Sequence, residues 1–218
     1  MVKHLRLMVL LCAICCVAAP VFAQTEPTQP VPAKPNSQRK DFYQLLKEAE
    51  LKFTFPPGFK EVPAVNDEDF SFDFDMEIPG KDFEVWLNVR SQKENWTSYQ
   101  NTRYDKQRSL ANPDSLYIQV SKAFAKALTG DDSFLEKNIP PDVLARYNAD
   151  AGKSYLLNLL DNDATRHYKY ALIIALQKNH TGTLVTIYFT NQKNPDFYRN
   201  VNRASRCLKF KTLPPNAN

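Results

Sequence analysis

Hydrophobic and polar residues alternate most regularly between residues 70 and 89. Phe70, Phe72, Phe74 and Met76 fall on one side of an extended chain, and Ser71, Asp73, Asp75 and Glu77 on the other. After Pro79-Gly80-Lys81-Asp82 the alternation resumes with Phe83, Val85, Leu87 and Val89, so residues 69 to 91 are predicted to form a β-hairpin with one solvated, acidic face. A strand over Leu51–Phe55 precedes it and stops at Pro56-Pro57-Gly58. Three later strand patterns, near 153–160, 167–178 and 183–190, are joined by Asp161-Asn162-Asp163 and Asn179-His180-Thr181-Gly182 and predict a meander. In the second of these both alternating sets are apolar, Tyr170, Leu172, Ile174 and Leu176 against Ala171, Ile173 and Ala175, which implies cover on both faces.

Helical spacing appears at Phe42, Leu45, Leu46 and Ala49 with Asp41 as cap, and over residues 141–147. It is strongest at Leu116, Val120, Ala123, Phe124, Ala127 and Leu128, where Asp114 is the expected cap and Gly130 the stop. The last helix opens at Asn194-Pro195, buries Phe197, Val201 and Ala204, and leads into a short strand at Leu208–Phe210. Residues 92–112 show no period and read as a long loop. The fold class expected is an α/β (α+β) sandwich, a mostly antiparallel sheet with helices on both faces.

The N-terminus carries a different signal. Lys3, His4 and Arg6 precede an apolar run from Leu7 to Ala19 and the small-residue exit Val21-Phe22-Ala23, which is the layout of a cleaved secretory signal over residues 1–23. The expected location is therefore exported, either periplasmic or secreted. Pro27, Pro30, Pro32 and Pro35 make 24–40 a disordered linker, leaving one domain over 41–213 and a tail at 214–218. Cys12, Cys15 and Cys16 leave with the signal, so Cys207 remains alone and no internal disulfide forms. Losing Lys3 and Arg6 lowers the formal charge from +4 to +2, too little to argue for nucleic acid as a partner. The longest later apolar run, Tyr170 to Leu176, is far short of the roughly 20 residues of a membrane span.

No catalytic, cofactor or metal constellation stands out. His167 and His180 are the histidines left after processing; neither neighbours a nucleophile motif. Asp73, Asp75 and Glu77 stand roughly 6.6 Å apart along one strand face, an awkward spacing for a single cation, so a solvated face is the plainer reading. Two surfaces are candidates for partner binding. One is the aromatic and basic stretch with Trp96, Tyr99, Arg103 and Tyr104, which serves either as an interface or as a lid over the hairpin's edge. The other is the stripe Arg199, Arg203 and Arg206 on the last helix, which also has an ordinary reading as cations near a helix C-terminus.

Several segments together, Phe53-Thr54-Phe55-Pro56-Pro57-Gly58-Phe59, the late apolar meander, and Pro195-Asp196-Phe197-Tyr198 leading to Cys207-Leu208-Lys209-Phe210, resemble the PsbP/DcrB-like family. That family shares its α/β/α sandwich with the Ran-binding nucleotide-release factor. The resemblance covers roughly residues 42 to 211 and implies an accessory or assembly role without chemistry, with no catalytic motif to carry over. The expected function is thus an exported, non-catalytic binding or assembly module with an envelope protein as partner and no cofactor. The alternative is an exported hydrolase with a site near His167 and the 92–112 loop.

Overall fold

The computed structural model describes residues 35–66, 70–105 and 110–212. The expected signal, most of the expected linker and the 214–218 tail lie outside these residues. In chain order the elements are α1 (Pro35–Glu48), β1 (Leu51–Phe53), β2 (Lys60–Val62), β3 (Phe74–Glu77), β4 (Glu84–Ser91), α2 (Lys93–Thr102), α3 (Leu116–Thr129), β5 (Leu135–Asn138), α4 (Pro141–Tyr147), β6 (Ala151–Asn158), β7 (Tyr170–Lys178), β8 (Gly182–Thr190), α5 (Pro195–Ser205) and β9 (Leu208–Phe210). Seven strands form one sheet in the order β2-β3-β4-β8-β7-β6-β5, every pair antiparallel, while β1 and β9 make a separate two-stranded ribbon. The expected α+β class with a mostly antiparallel sheet is what is observed.

The long pairing of β4 with β8, from Glu84↔Phe189 to Ser91↔Gly182, joins the early hairpin to the late meander. Every residue of β8 is buried. Its neighbour β7 sends Leu172, Ile174 and Leu176 into an apolar cluster with Phe42 and Leu46 of α1, Tyr147 of α4, and Phe197 and Val201 of α5. Its alternate residues Ala171, Ile173 and Ala175 enter a second cluster with Tyr117, Ala125 and Leu128 of α3. The 3.6 period of each helix and the 2.0 period of the strand meet at these two clusters.

Where the sequence pattern failed, a local cause is visible. α1 begins at Pro35, ahead of the expected cap Asp41, so its first turns run into the expected linker. Buried Gln38 explains the extension, since it donates to Val62 O at 3.0 Å and accepts from Ala64 N at 2.8 Å, tying the helix to the β2 edge. Asp114 does not cap α3: Asn112 accepts from Asp114 N at 3.0 Å and starts a single 3-10 turn instead, and the Asp114 carboxylate reaches the β7–β8 turn. Gly130 does end α3, at φ 77°, a left-handed conformation that glycine adopts without a Cβ clash. The 92–112 loop contains a helix, α2, with no buried residue and hence no apolar stripe to read.

The hairpin differs most. Asp73 N donates to Leu87 O at 2.9 Å although Phe74 is the residue paired with Leu87, so two residues oppose one and the strand is bulged. The Asp73 carboxylate holds the bulge, accepting from Val89 N at 2.6 Å and Arg90 Nη1 at 3.0 Å. One extra residue reverses the alternation. Phe70 and Phe72 pack with Trp86 in the α3 cluster, whereas Phe74 and Met76 pack in the α1 cluster. Asp75 alternates with Phe74 and Met76 as expected but lies opposite Trp86 on the α3 side, which is itself covered, and is fully buried. This corrects the expectation that Asp73, Asp75 and Glu77 form a solvated face.

Candidate functional site

Three places collect chemistry-bearing side chains. The first is the buried end of the β3–β4 hairpin. Glu77 and Glu84 are register partners and Asp75 is opposite Trp86, so three carboxyl groups meet where like charges repel. Arg166 answers them, with Nη1 donating to Glu84 Oε2 at 2.8 Å, and with nitrogens 3.8 Å from both Asp75 and Glu77. Trp86 Nε1 donates to the other Glu84 oxygen at 2.6 Å. As a carboxylate Asp75 finds no hydrogen-bond donor for either oxygen among the described residues. Burial, then the Glu84 charge and a hydrogen bond shared with the Glu84 carboxyl, hold Asp75 well above the usual carboxylate range, so it is the group that keeps a proton. Tyr168, beside them, is raised above the ordinary phenol range by burial and by the Glu84 charge.

A strained turn delivers Arg166. Arg166 and His167 have φ of 50° and 59°, left-handed values costing non-glycine residues about 1 kcal/mol or more each. Asn162 holds the turn, its side chain accepting from Ala164 N at 2.7 Å and its carbonyl accepting from His167 N at 3.1 Å. His167 does not open a strand as expected; it stands exposed in this turn with Nδ1 2.6 Å from Asp161 and Nε2 3.1 Å from Asp163. The Asp161 hydrogen bond and charge raise its pKa. A hollow beside it is lined by Asn158, Leu159, Asp161, His167, Tyr168, Lys169 and Tyr170.

The second place is the opposite end of the sheet. Trp96 of α2 stacks on His180 with ring centroids 3.7 Å apart at 17°, and Tyr99 sits beside it at 5.4 Å. His180 occupies the β7–β8 turn at φ 59°. Asp114 fixes that turn by accepting from His180 N at 2.8 Å and from Gln177 Nε2 at 3.1 Å, with its other oxygen 3.3 Å from His180 Nε2. Trp96 and Tyr99 are half-buried, and Arg103 and Tyr104 are exposed, the guanidinium 4.7 Å over the Tyr104 ring. The structure does not bring His167 together with this region. The β7–β8 turn that carries His180 and the 159–169 turn that carries His167 lie at opposite ends of β7, a separation of about 25 Å along the strand.

The third place is α5. Its three arginines are not equivalent: Arg199 pairs with Asp196, and Arg203 donates to Pro57 O at 3.0 Å with its guanidinium 5.5 Å over Phe59. The Arg206 side chain makes no hydrogen bond or ion pair among the described residues. Cys207, next to it, is buried, and burial pushes its thiol up to about 12. Among the described residues no group of His, Cys, Asp and Glu is arranged to hold a metal ion, and no helix is long and apolar enough to cross a membrane.

Sequence reasoning picked out Trp96, Tyr99, Arg103, Tyr104, Arg199, Arg203 and Arg206, and missed Arg166, Glu84 and Asp114. The signal for the first of these was the Asx-rich turn just before Arg166, which needs a reason to be tight. In comparisons with known proteins, the chain matches no family model and no curated sequence.

Proposed function

We propose that this chain is an exported, non-catalytic binding or assembly module that offers the aromatic residues of α2 to an envelope protein partner. The observation that supports this reading is α2 itself: ten residues of helix that bury nothing in the core yet carry Trp96 and Tyr99, followed at once by Arg103 and an 82% exposed Tyr104. A helix kept on a fold without core residues gains nothing from burial, and Trp, Tyr and Arg are the residue types that dominate interface energies. The Trp96–His180 stack, backed by Asp114, holds that surface in one conformation and lowers the entropy a partner must remove. Export rests on residues 1–23. The accessory role accords with the resemblance of the Phe53–Phe59 and Pro195–Phe210 segments to the PsbP/DcrB-like sandwich, in which α1, α4 and α5 would clad one face of the sheet and α3 the other.

Photo-crosslinking in the exporting cell tests it. A photoreactive residue at exposed Ser98 on α2 is expected to give a discrete protein adduct, one at exposed Lys122 on α3 is not, and Trp96→Ala should abolish the Ser98 adduct. The same adducts from both positions, or an adduct indifferent to Trp96, would rule α2 out as the contact face.

A further inference from the structure

A hollow of about 470 Å³ lies where α4, α5 and β9 meet. Arg146, Arg206 and Lys209 reach it and no Asp or Glu lines it. The side chains of Arg206 and Lys209 have no hydrogen bond or ion pair among the described residues, and Arg146 has only a loose contact with Asp142 at 3.6 Å, both side chains exposed. Asn202, Ser205 and Tyr147 add neutral hydrogen-bonding groups to the wall. Cations close to helix C-termini have a plain use in offsetting the helix dipole, and α4 and α5 both end here. Each end amounts to roughly half a negative charge. Three full positive charges exceed that, so the hollow stays positive.

A second hollow, of about 300 Å³, adjoins the first across Arg206. Its wall is Phe55, Pro56, Pro57 and Cys207, largely apolar, and Arg203 fixes that wall through its bond to Pro57 O and its place over Phe59. Two prolines and a clamped carbonyl leave little to order on binding. Arg206 is thus a free cation on the border between a positive polar hollow and a rigid apolar one.

We propose that the paired hollows bind an amphiphilic organic anion, its phosphate or similar head on Arg206, Lys209 and Arg146, and its apolar portion against Phe55, Pro56 and Pro57. The site is separate from α2, so it stands or falls independently of the contact face proposed above.

Calorimetric titration of the purified protein with hexyl phosphate, inorganic phosphate and hexyl glucoside tests both halves. Hexyl phosphate should bind saturably and about tenfold or more tighter than either of the others, since each supplies one half of the contact. Arg206→Gln should weaken it about fivefold or more and Lys209→Gln by a smaller factor, while Trp96→Ala leaves it unchanged. Neither Arg206 nor Lys209 has a side-chain partner to lose, so both variants should melt like the parent. Co-sedimentation with phosphatidylglycerol vesicles but not phosphatidylcholine vesicles, competed by hexyl phosphate, would make the natural source a lipid headgroup; hexyl phosphate binding without co-sedimentation would make it a soluble amphiphile. Hexyl glucoside binding as tightly as hexyl phosphate, both Gln variants binding like the parent, or no binding in the millimolar range would each overturn the proposal.

Discussion

Changing Asp75 to Asn keeps the shape of the side chain and removes its proton chemistry. In the fold the carboxyl is fully buried beside Glu84, and it holds its proton at a pH where the unfolded chain, near the ordinary 3.8, has released it. The fold therefore carries one more proton than the unfolded chain, and stability falls as the pH rises from about 4 toward the raised native value. One proton corresponds to a tenfold loss in the folding constant, about 1.4 kcal/mol, per pH unit within that window. The charged and titratable groups around Asp75 are Glu84 and Glu77 from the hairpin and Arg166 and Tyr168 from the 159–169 turn and its exit. All four remain in the variant, so the difference between two urea-unfolding series isolates Asp75. Near pH 4 the two proteins should agree within about 0.5 kcal/mol, because an amide replaces a neutral carboxylic acid that donates to Glu84. At about pH 7 the Asn variant should be the more stable by about 1 kcal/mol or more. Parallel pH profiles would mean that Asp75 is ionised throughout, and that Arg166 and the hairpin solvate it better than the geometry implies.

Further outcomes follow from single positions. Ile173 is fully buried and Ile174 half-buried, so Ile173→Asp should prevent folding while Ile174→Asp leaves a folded but weakened domain, as circular dichroism melts would show. Arg166→Ala should cost about 2–3 kcal/mol in urea unfolding, because Glu84 loses its charged donor in a buried setting; a loss under 0.5 would mean that water replaces the guanidinium. Gly182→Ala should destabilise, since a Cβ there would lie 3.0 Å from both Ala49 Cβ and Arg90 O and would push α1 from the start of β8; an unchanged melting temperature would show that the α1 end yields freely. Cys207 should resist thiol reagents at about pH 8 in the folded protein and react at once in urea, since burial holds its thiol at about 12; rapid labelling of the native state would place the thiol in solvent.

How much of this was legible in the sequence depended on how each segment spends its apolar residues. β7, β8 and α5 bury whole faces, so their periods show, and Asn194-Pro195 marks the start of α5 with Asn194 accepting from Phe197 N at 2.9 Å. α2 buries nothing and β5 is an exposed edge strand, so neither leaves a pattern. The bulge at Asp73 was hidden because the Phe70–Met76 alternation reads as unbroken; the count of residues opposite Leu87, a tertiary fact, decides which face each aromatic takes. The Asp75–Glu84–Arg166 cluster was illegible for a related reason, because Asp75 is buried by tertiary cover on the Trp86 face and two left-handed residues deliver Arg166. The aromatic candidates Trp96 and Tyr99 were found by composition, but the His180 stack beneath them joins residues far apart in sequence.

The contact face can be tested most directly by titrating the crosslinked partner, once purified, against four variants at low and physiological salt. If α2 is the contact face, Trp96→Ala and Tyr99→Ala each weaken binding by about 2 kcal/mol, roughly thirtyfold, at both salt concentrations. Arg199→Ala and Arg203→Ala should change it by less than about 0.5 kcal/mol, since Arg199 is engaged by Asp196 and Arg203 by Pro57. Loss confined to the arginine variants, and shrinking as salt rises, would contradict the assignment and move the recognition surface to α5.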